Sequence, residues 1–245
     1  DAYTLAQFTS TYEAVEWSLA ILAAVDEVYL NELNNAITLN ADYVHVWEGS
    51  DPYAVFEEQA GEMLDAVRDE WAINPDLASI ERDVVHLLTM RTNTGTGGIA
   101  YLGTACDAFN NVGFSQGMTA QTSFTAGAYA WNVHVVAHEL GHNFGARHTH
   151  WCGWSTGPIN NCASLEGGDL CAPYTNNPAP AVGTIMSYCH AIYGGSVDLN
   201  FHPTVIAEGL MPYIESVACF GECNSFASNS SAYGCTDEAA CNYSE

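Results

Sequence analysis

The chain has 245 residues and a formal net charge of -25, because 29 acidic residues stand against four arginines and no lysine. Phosphate backbones and anionic membranes are bound by clustered Lys and Arg, so neither nucleic acid nor such a membrane is an expected partner. The length and a hydrophobic content of 48% predict one substantial domain or two closely joined subdomains. Every apolar run is shorter than a membrane span, so no membrane insertion is expected.

The nine cysteines indicate an oxidising compartment, since none falls in a Cys-x-x-Cys zinc pattern. Disulfides are therefore predicted, and the odd count leaves one thiol over. The acidity favours solvation in a saline habitat first, and it also suits calcium or basic substrates. The chain opens at Asp1 without a secretory signal, so we expect a processed form that a signal and a pro-segment once preceded.

The amino-terminal half predicts alternating strands and helices. Thr9, Ser10 and Thr11 offer N-caps to a long amphipathic helix that reaches about Asn34. Around it, alternating or buried apolar runs predict strands, and Asp51-Pro52 opens a second helix. The predicted strands are 2–8, 36–47, 84–90, 99–104 and 112–115, and the second helix is 53–71.

The carboxyl-terminal half predicts one long helix from about Gly127 to Gly145, followed by loops. Gly, Pro, Asn and Cys dominate residues 151–183, which predicts a smaller subdomain stapled by disulfides. The last predicted helix is 203–216. We expect one domain over 1–220, with an upper subdomain of about 1–146 and a lower one of about 147–220, then a linker at 221–234 and a truncated Cys-containing repeat at 235–245.

The predicted long helix carries the residues of a metal site. His138 and His142 lie one turn apart on the same face, so their imidazoles can converge on one cation. Gly145 can adopt the left-handed conformation that ends a helix, which makes His148 a third ligand. Three neutral imidazoles leave one position of a tetrahedral zinc open, as in catalytic sites. Glu139 can then move a proton from water to a leaving amine. The alternative, an ordinary helix with surface histidines, does not explain the spaced glycine and third histidine.

A second signal lies downstream. Residues 184–188 have the form of the methionine turn, in which a thioether such as that of Met186 packs beneath the ligand histidines without binding metal. His134 is left out of the ligand set because a fourth protein ligand would close the site. His150 is expected to face solvent or to cap a loop.

Together, the histidine motif and Met186 resemble those of the metzincin metallopeptidases. Residues 82–88, 98–103 and 183–190 resemble bacterial relatives of the adamalysin/reprolysin family (M12B-like), and the resemblance spans roughly residues 3–220. It implies an α+β zincin fold with a twisted, mostly parallel five-stranded sheet and helices above a zinc cleft. An extended peptide would pair with an antiparallel edge strand. The edge residues implied are Ile99, Ala100, Tyr101, Leu102 and Gly103.

The resemblance also implies an activity. It is that of a zinc endopeptidase acting on proteins or peptides and made as a latent precursor. The acidity, and the resemblance of the tail at 235–245 to a short repeat of secreted proteins of marine bacteria, lead us to expect secretion by a marine or saline bacterium. A monomer is expected. Tyr188 stands at the spacing at which astacins and serralysins place a tyrosine that stabilises the oxyanion, and the alternative is a tyrosine buried in the core. Thr149 departs from the aspartate usual in animal members. The family's calcium ligands are not recognisably matched, so calcium stays open. A rival function is a zinc-binding adhesion or recognition module without catalysis, against which Glu139 argues.

Analogy with the family pairs Cys106 with Cys219. The connectivity of two further bridges in the lower subdomain stays open, and pairing Cys235 with Cys241 would leave Cys223 unpaired. The two open bridges involve Cys152, Cys162, Cys171 and Cys189.

Overall fold

The computed structural model describes residues 1–56, 58–174 and 182–220. The predicted linker and repeat, with Cys223, Cys235 and Cys241, lie outside the described residues. The helices are α1 (Ala2–Leu5), α2 (Thr11–Glu32), α3 (Ala60–Ile73), α4 (Pro75–Ala78), α5 (Trp131–Asn143), α6 (Pro203–Val205) and α7 (Met211–Ser216). The strands are β1 (Val85–Leu88), β2 (Gly98–Ala100), β3 (Val112–Ser115), β4 (Val182–Gly183) and β5 (Ser196–Val197).

Helix α2 forms where its caps and its apolar stripe predict it. The Ser10 hydroxyl accepts from the Glu13 amide, and the Glu13 carboxylate accepts from the Thr9 amide, so one amide of the first turn and one just before the cap are both paired. A stripe of residues three or four apart is buried against α5: Ala14, Trp17, Ile21, Val25 and Tyr29. The Tyr29 hydroxyl also donates to the Ala137 carbonyl at 2.9 Å. The long predicted helix is therefore confirmed, and it packs along one side of α5.

The main sheet has the order β1-β3-β2, with β1 parallel and β2 antiparallel to β3. The antiparallel edge strand is thus confirmed, whereas three strands, not five, form this sheet within the described ranges. The edge strand is also shorter than predicted, because the chain leaves β3 after Tyr101 and bends toward the carboxyl end of α5. Gly103 and Thr104 donate their amides to the carbonyls of His142 and Asn143 at 2.8 and 2.9 Å. These two bonds fasten the end of the edge strand to the end of the helix.

Two predicted strands are wrong. Residues 2–5 form a helix, because the Asp1 carboxylate accepts from the Thr4 amide at 2.8 Å and caps the first turn. Residues 36–47 form no strand in the described chain, and the Leu39 amide donates to Asp26 of α2 instead. The apolar pattern there reflects aromatic packing, such as that of Trp47 on Tyr53 with ring centroids 6.0 Å apart.

Two helix boundaries also shift. The helix predicted at 53–71 begins at Ala60, because Tyr53 is buried in a turn where its amide donates to the Asp51 carboxylate. The helix predicted from about Gly127 begins at Trp131. Near the carboxyl end, the predicted helix 203–216 is confirmed as α6 and α7, joined by one π turn over Ile206–Leu210.

Disulfides tie the loop-rich region together. Cys106 pairs with Cys219 as the analogy implied, and the open connectivity resolves into Cys152–Cys171 and Cys162–Cys189. A short pairing of β4 with β5 supports the segment before the methionine turn. Among the residues that the structure describes, no helix combines the length and apolar character needed to cross a bilayer.

Packing of α2 on α5 should dominate the stability of the domain. Ile21 is fully buried in this contact, so Ile21→Ala should lower the free energy of unfolding by about 2–5 kcal/mol, measured by urea titration. Leu19→Ala on the same helix is the matched control, because Leu19 is 38% exposed. Equal losses for the two variants would contradict the predicted helix face.

Candidate metal centre

Helix α5 ends in a turn that brings three histidines together. Ala146 donates its amide to the Gly141 carbonyl at 2.8 Å and Gly145 donates to His142 at 2.9 Å, which is the Schellman arrangement. Gly145 has the positive φ of 87° that this motif requires, and a Cβ there would lie 2.8 Å from the Cβ of Tyr213. The chain therefore reverses at Gly145, and His148 returns to the face of α5 that carries the first two histidines.

The ligand atoms of His138, His142 and His148 all lie within 4.8 Å of one another. Each ring has its Nδ1 beside an oxygen that can only accept. The Nδ1 of His138 lies 2.7 Å from the Ile185 carbonyl, and that of His142 lies 2.8 Å from the Ala146 carbonyl. The Nδ1 of His148 lies 2.8 Å from the Glu166 carboxylate. All three Nδ1 atoms therefore carry the proton. All three Nε2 atoms are consequently unprotonated, which is the form that binds a metal.

Burial keeps the imidazoles of His138 and His142 neutral. It lowers the pKa of His142 to about 3, with a further contribution from His148. Burial also lowers the pKa of His138 well below its ordinary value, and the neighbouring histidines add to the effect. A metal ligand must be the neutral form, so the site disfavours the competing protonated state over the neutral pH range.

Glu139 follows the first ligand on α5, and its carboxylate is buried against the edge strand. Burial raises the pKa of this carboxyl group well above its ordinary value. A Cβ on Gly98 would lie 2.7 Å from Oε1 of Glu139, so only glycine at this point of β2 leaves room for the carboxylate. Glu139, His142, His148 and Tyr188 line one cavity of about 330 Å³.

Met186 and Tyr188 reach the site from the turn after β4. Met186 is fully buried, and its Sδ would lie 2.7 Å from a Cβ on Gly141, so the absent side chain lets the thioether pack directly on α5. The Tyr188 hydroxyl lies 2.9 Å from Nε2 of His148. Burial, and then the charges of Glu139 and Glu166, raise the pKa of Tyr188, so the phenol keeps its proton.

The family model Reprolysin_5, described as metallopeptidase family M12, matches residues 1–198. The chain belongs to metallopeptidase family M12. It is a metzincin-like zinc metallopeptidase, and its substrates are proteins or peptides.

The donor set of this M12 metallopeptidase fits zinc. Tetrahedral zinc with bonds of about 2.0–2.1 Å places its ligand nitrogens about 3.3 Å apart. The Nε2 atoms of His142 and His148 are 3.1 Å apart, and neither carries a proton that could join them by a hydrogen bond. A cation between them removes the repulsion of the two lone pairs. His138, His142 and His148 are therefore the residues that would hold the zinc.

Two other histidines lie next to the ligands. The Nε2 of His134 lies 3.1 Å from the Ile185 carbonyl, which His138 also approaches, so His134 stays outside the proposed ligand set. The expectation that His150 faces solvent or caps a loop is wrong. His150 is 1% exposed and its Nε2 lies 3.0 Å from Glu166, because the ring stacks on His148.

The sequence analysis missed two charged residues of the cavity. Glu166 accepts from His148 and His150, and these hydrogen bonds hold the pKa of its carboxyl group well below the ordinary value. Arg147 lines the same cavity, with its guanidinium over the Trp151 ring. Glu166 lies 18 residues from His148 in an irregular loop, so no periodicity or motif could link the two.

Gly98 should be essential for peptide hydrolysis. Gly98→Ala places a Cβ 2.6 Å from the Phe114 carbonyl and against Glu139, so the carboxylate must move. A displacement of about 1 Å costs about 100-fold in rate, so casein hydrolysis should fall about 100-fold while zinc content stays near one per chain. Gly61→Ala on α3, where a Cβ meets nothing within 4 Å, is the control. Full activity of the Gly98 variant would contradict the placement of Glu139.

Proposed function

We propose that this chain is a secreted zinc endopeptidase in which Glu139 is the general base and then the general acid. The observation that carries the proposal is a buried carboxylate that shares one cavity with the Tyr188 phenol and with His142 and His148, two of the three clustered histidines. Zinc, when bound by His138, His142 and His148, would supply a Lewis acid that polarises the scissile carbonyl and makes water more acidic.

In this proposal, Glu139 takes a proton from the attacking water at a carboxylate oxygen. The raised pKa of the carboxyl group favours this transfer, while the charge of a bound cation favours the ionised form that must be present first. The water oxygen bonds to the carbonyl carbon, and Glu139 then delivers the proton to the departing nitrogen as the C–N bond breaks. The site needs no covalent acyl intermediate, because water itself attacks.

Tyr188 is proposed as the donor to the developing oxyanion. Its hydroxyl lies next to a ligand nitrogen and keeps its proton, so it can donate a hydrogen bond to a negative oxygen near the metal position. The alternative of a core tyrosine is less favoured, because Tyr188 lines the cavity.

The free edge of β2 is the proposed binding site for the substrate main chain. Gln116 donates to the Gly97 carbonyl and Tyr101 donates to the Val112 carbonyl, so residues 97, 99 and 101 pair with β3. Gly98 and Ala100 then turn their amides and carbonyls away from β3, toward an added strand. Of the edge residues named above, Ile99, Ala100 and Leu102 line the cavity, whereas the Tyr101 hydroxyl bonds to Arg68 outside it.

Secretion, processing and environment belong to the same proposal. Three disulfides indicate an oxidising compartment, which is the reason for proposing an extracellular enzyme. A bacterial and saline origin, a pro-segment and a monomeric state stay predictions, and bound calcium stays open. The division into subdomains at about residue 146 is proposed because the reversal at Gly145 separates α5 from the loop-rich part.

The rival function, a zinc-binding module without catalysis, makes a different prediction for one variant. Glu139→Gln removes the base but keeps the size of the side chain, so hydrolysis of unfolded casein should fall at least about 100-fold while zinc stays bound. Zinc content is measured by elemental analysis on the same sample. Undiminished hydrolysis by the variant would show that Glu139 is not the base, and an inactive wild type with zinc bound would favour the rival.

A further inference from the structure

One carboxylate from outside the histidine motif holds two imidazoles. The Nδ1 of His148 lies 2.8 and 3.0 Å from the two oxygens of Glu166, and the Nε2 of His150 lies 3.0 Å from the first of them. The rings of His148 and His150 are stacked, with centroids 4.8 Å apart and planes 11° apart. Glu166 therefore fixes the orientation of a metal ligand and of the ring stacked on it.

We propose that Glu166 is the positioning residue for the third metal ligand, and that the Cys152–Cys171 disulfide holds Glu166 in place. The proposal rests on the proposed function only in that His148 binds the metal. A carboxylate that accepts from Nδ1 fixes the tautomer and raises the basicity of Nε2, which strengthens the bond to a metal. Metal affinity then depends on a loop that contains no ligand.

The main chain around Glu166 is bonded on both sides. The Glu166 amide donates to the His150 carbonyl at 3.2 Å, and the Cys152 amide donates to the Glu166 carbonyl at 2.8 Å. This bridge aligns the segment after the third ligand with the segment that carries the carboxylate. The disulfide from Cys152 to Cys171 closes the loop, and the Cys171 sulfur lies 3.2 Å from the Glu166 carbonyl oxygen.

His150 supplies the second constraint on the carboxylate. The Glu166 side chain is 43% exposed, so a single hydrogen bond would compete with water and with other rotamers. The His150 side chain is only 1% exposed, and its hydrogen bond to the same oxygen restricts the carboxylate to one position. The residue expected to face solvent thus supports the third ligand.

The proposal is tested by zinc affinity, measured by competition with a chromophoric chelator. Glu166→Ala should raise the Kd for zinc about 10–100-fold, and Glu166→Gln less, because the amide oxygen can still accept from His148. Glu215→Ala, at an exposed glutamate of α7, is the matched control and should leave the Kd unchanged.

A pair of disulfide variants separates local positioning from general stability. Replacing Cys152 and Cys171 by serine should raise the Kd at least about tenfold, because Glu166 loses its support. Replacing Cys106 and Cys219 opens a loop of 113 residues and should lower the Tm more, yet leave the Kd near that of the wild type.

Each contrary result has a distinct meaning. A Kd of the Glu166→Ala protein within about twofold of the wild type overturns the positioning role. The role is also overturned if the Kd rises in the Glu166 variants and in both disulfide variants in proportion to their loss of Tm. A wild type that binds no zinc overturns the proposed function together with this inference. Hydrolysis is not the readout, so zinc binding without cleavage leaves the positioning role testable on its own.

Discussion

The site depends on the reversal of the chain at Gly145. A continued helix would carry His148 to the wrong side of α5, whereas the left-handed residue returns it beside His142. The same turn supplies the Ala146 carbonyl that fixes the His142 ring. Residues with a side chain rarely adopt this backbone conformation. It determines both the position of the third ligand, His148, and the ring orientation of the second, His142.

Burial of α5 determines the protonation of its histidines and of its glutamate. The helix lies between α2 and the sheet, so its histidines are dehydrated and neutral and its glutamate has a raised pKa. Small residues let the partners approach closely, as Gly141 does for Met186 and Gly98 does for Glu139. The precision of the centre thus arises from packing around a rigid helix, with metal ligands on one face and the core on the others.

Local signals predicted the helical part of this arrangement well. The capping residues of α2, the spacing of the histidines and the glycine that ends α5 are all readable within a few residues of sequence. Strand pairing is not local, so the sequence overestimates the sheet and predicts a strand at residues 36–47, where the structure has aromatic packing instead. Glu166 could not be found for the same reason, since a loop and a disulfide bring it to His148. The resemblance supplied the Cys106–Cys219 pair, which spacing alone did not.

Metal content by elemental analysis, combined with hydrolysis of a mixed peptide library with and without phenanthroline, tests whether this centre hydrolyses peptides. We expect one zinc per chain and cleavage at internal bonds that the chelator abolishes and added zinc restores. The same digestion would reveal which side chains the cleft prefers. Protein that carries one zinc per chain and cleaves no internal bond in the library would contradict the central claim that this centre hydrolyses peptides.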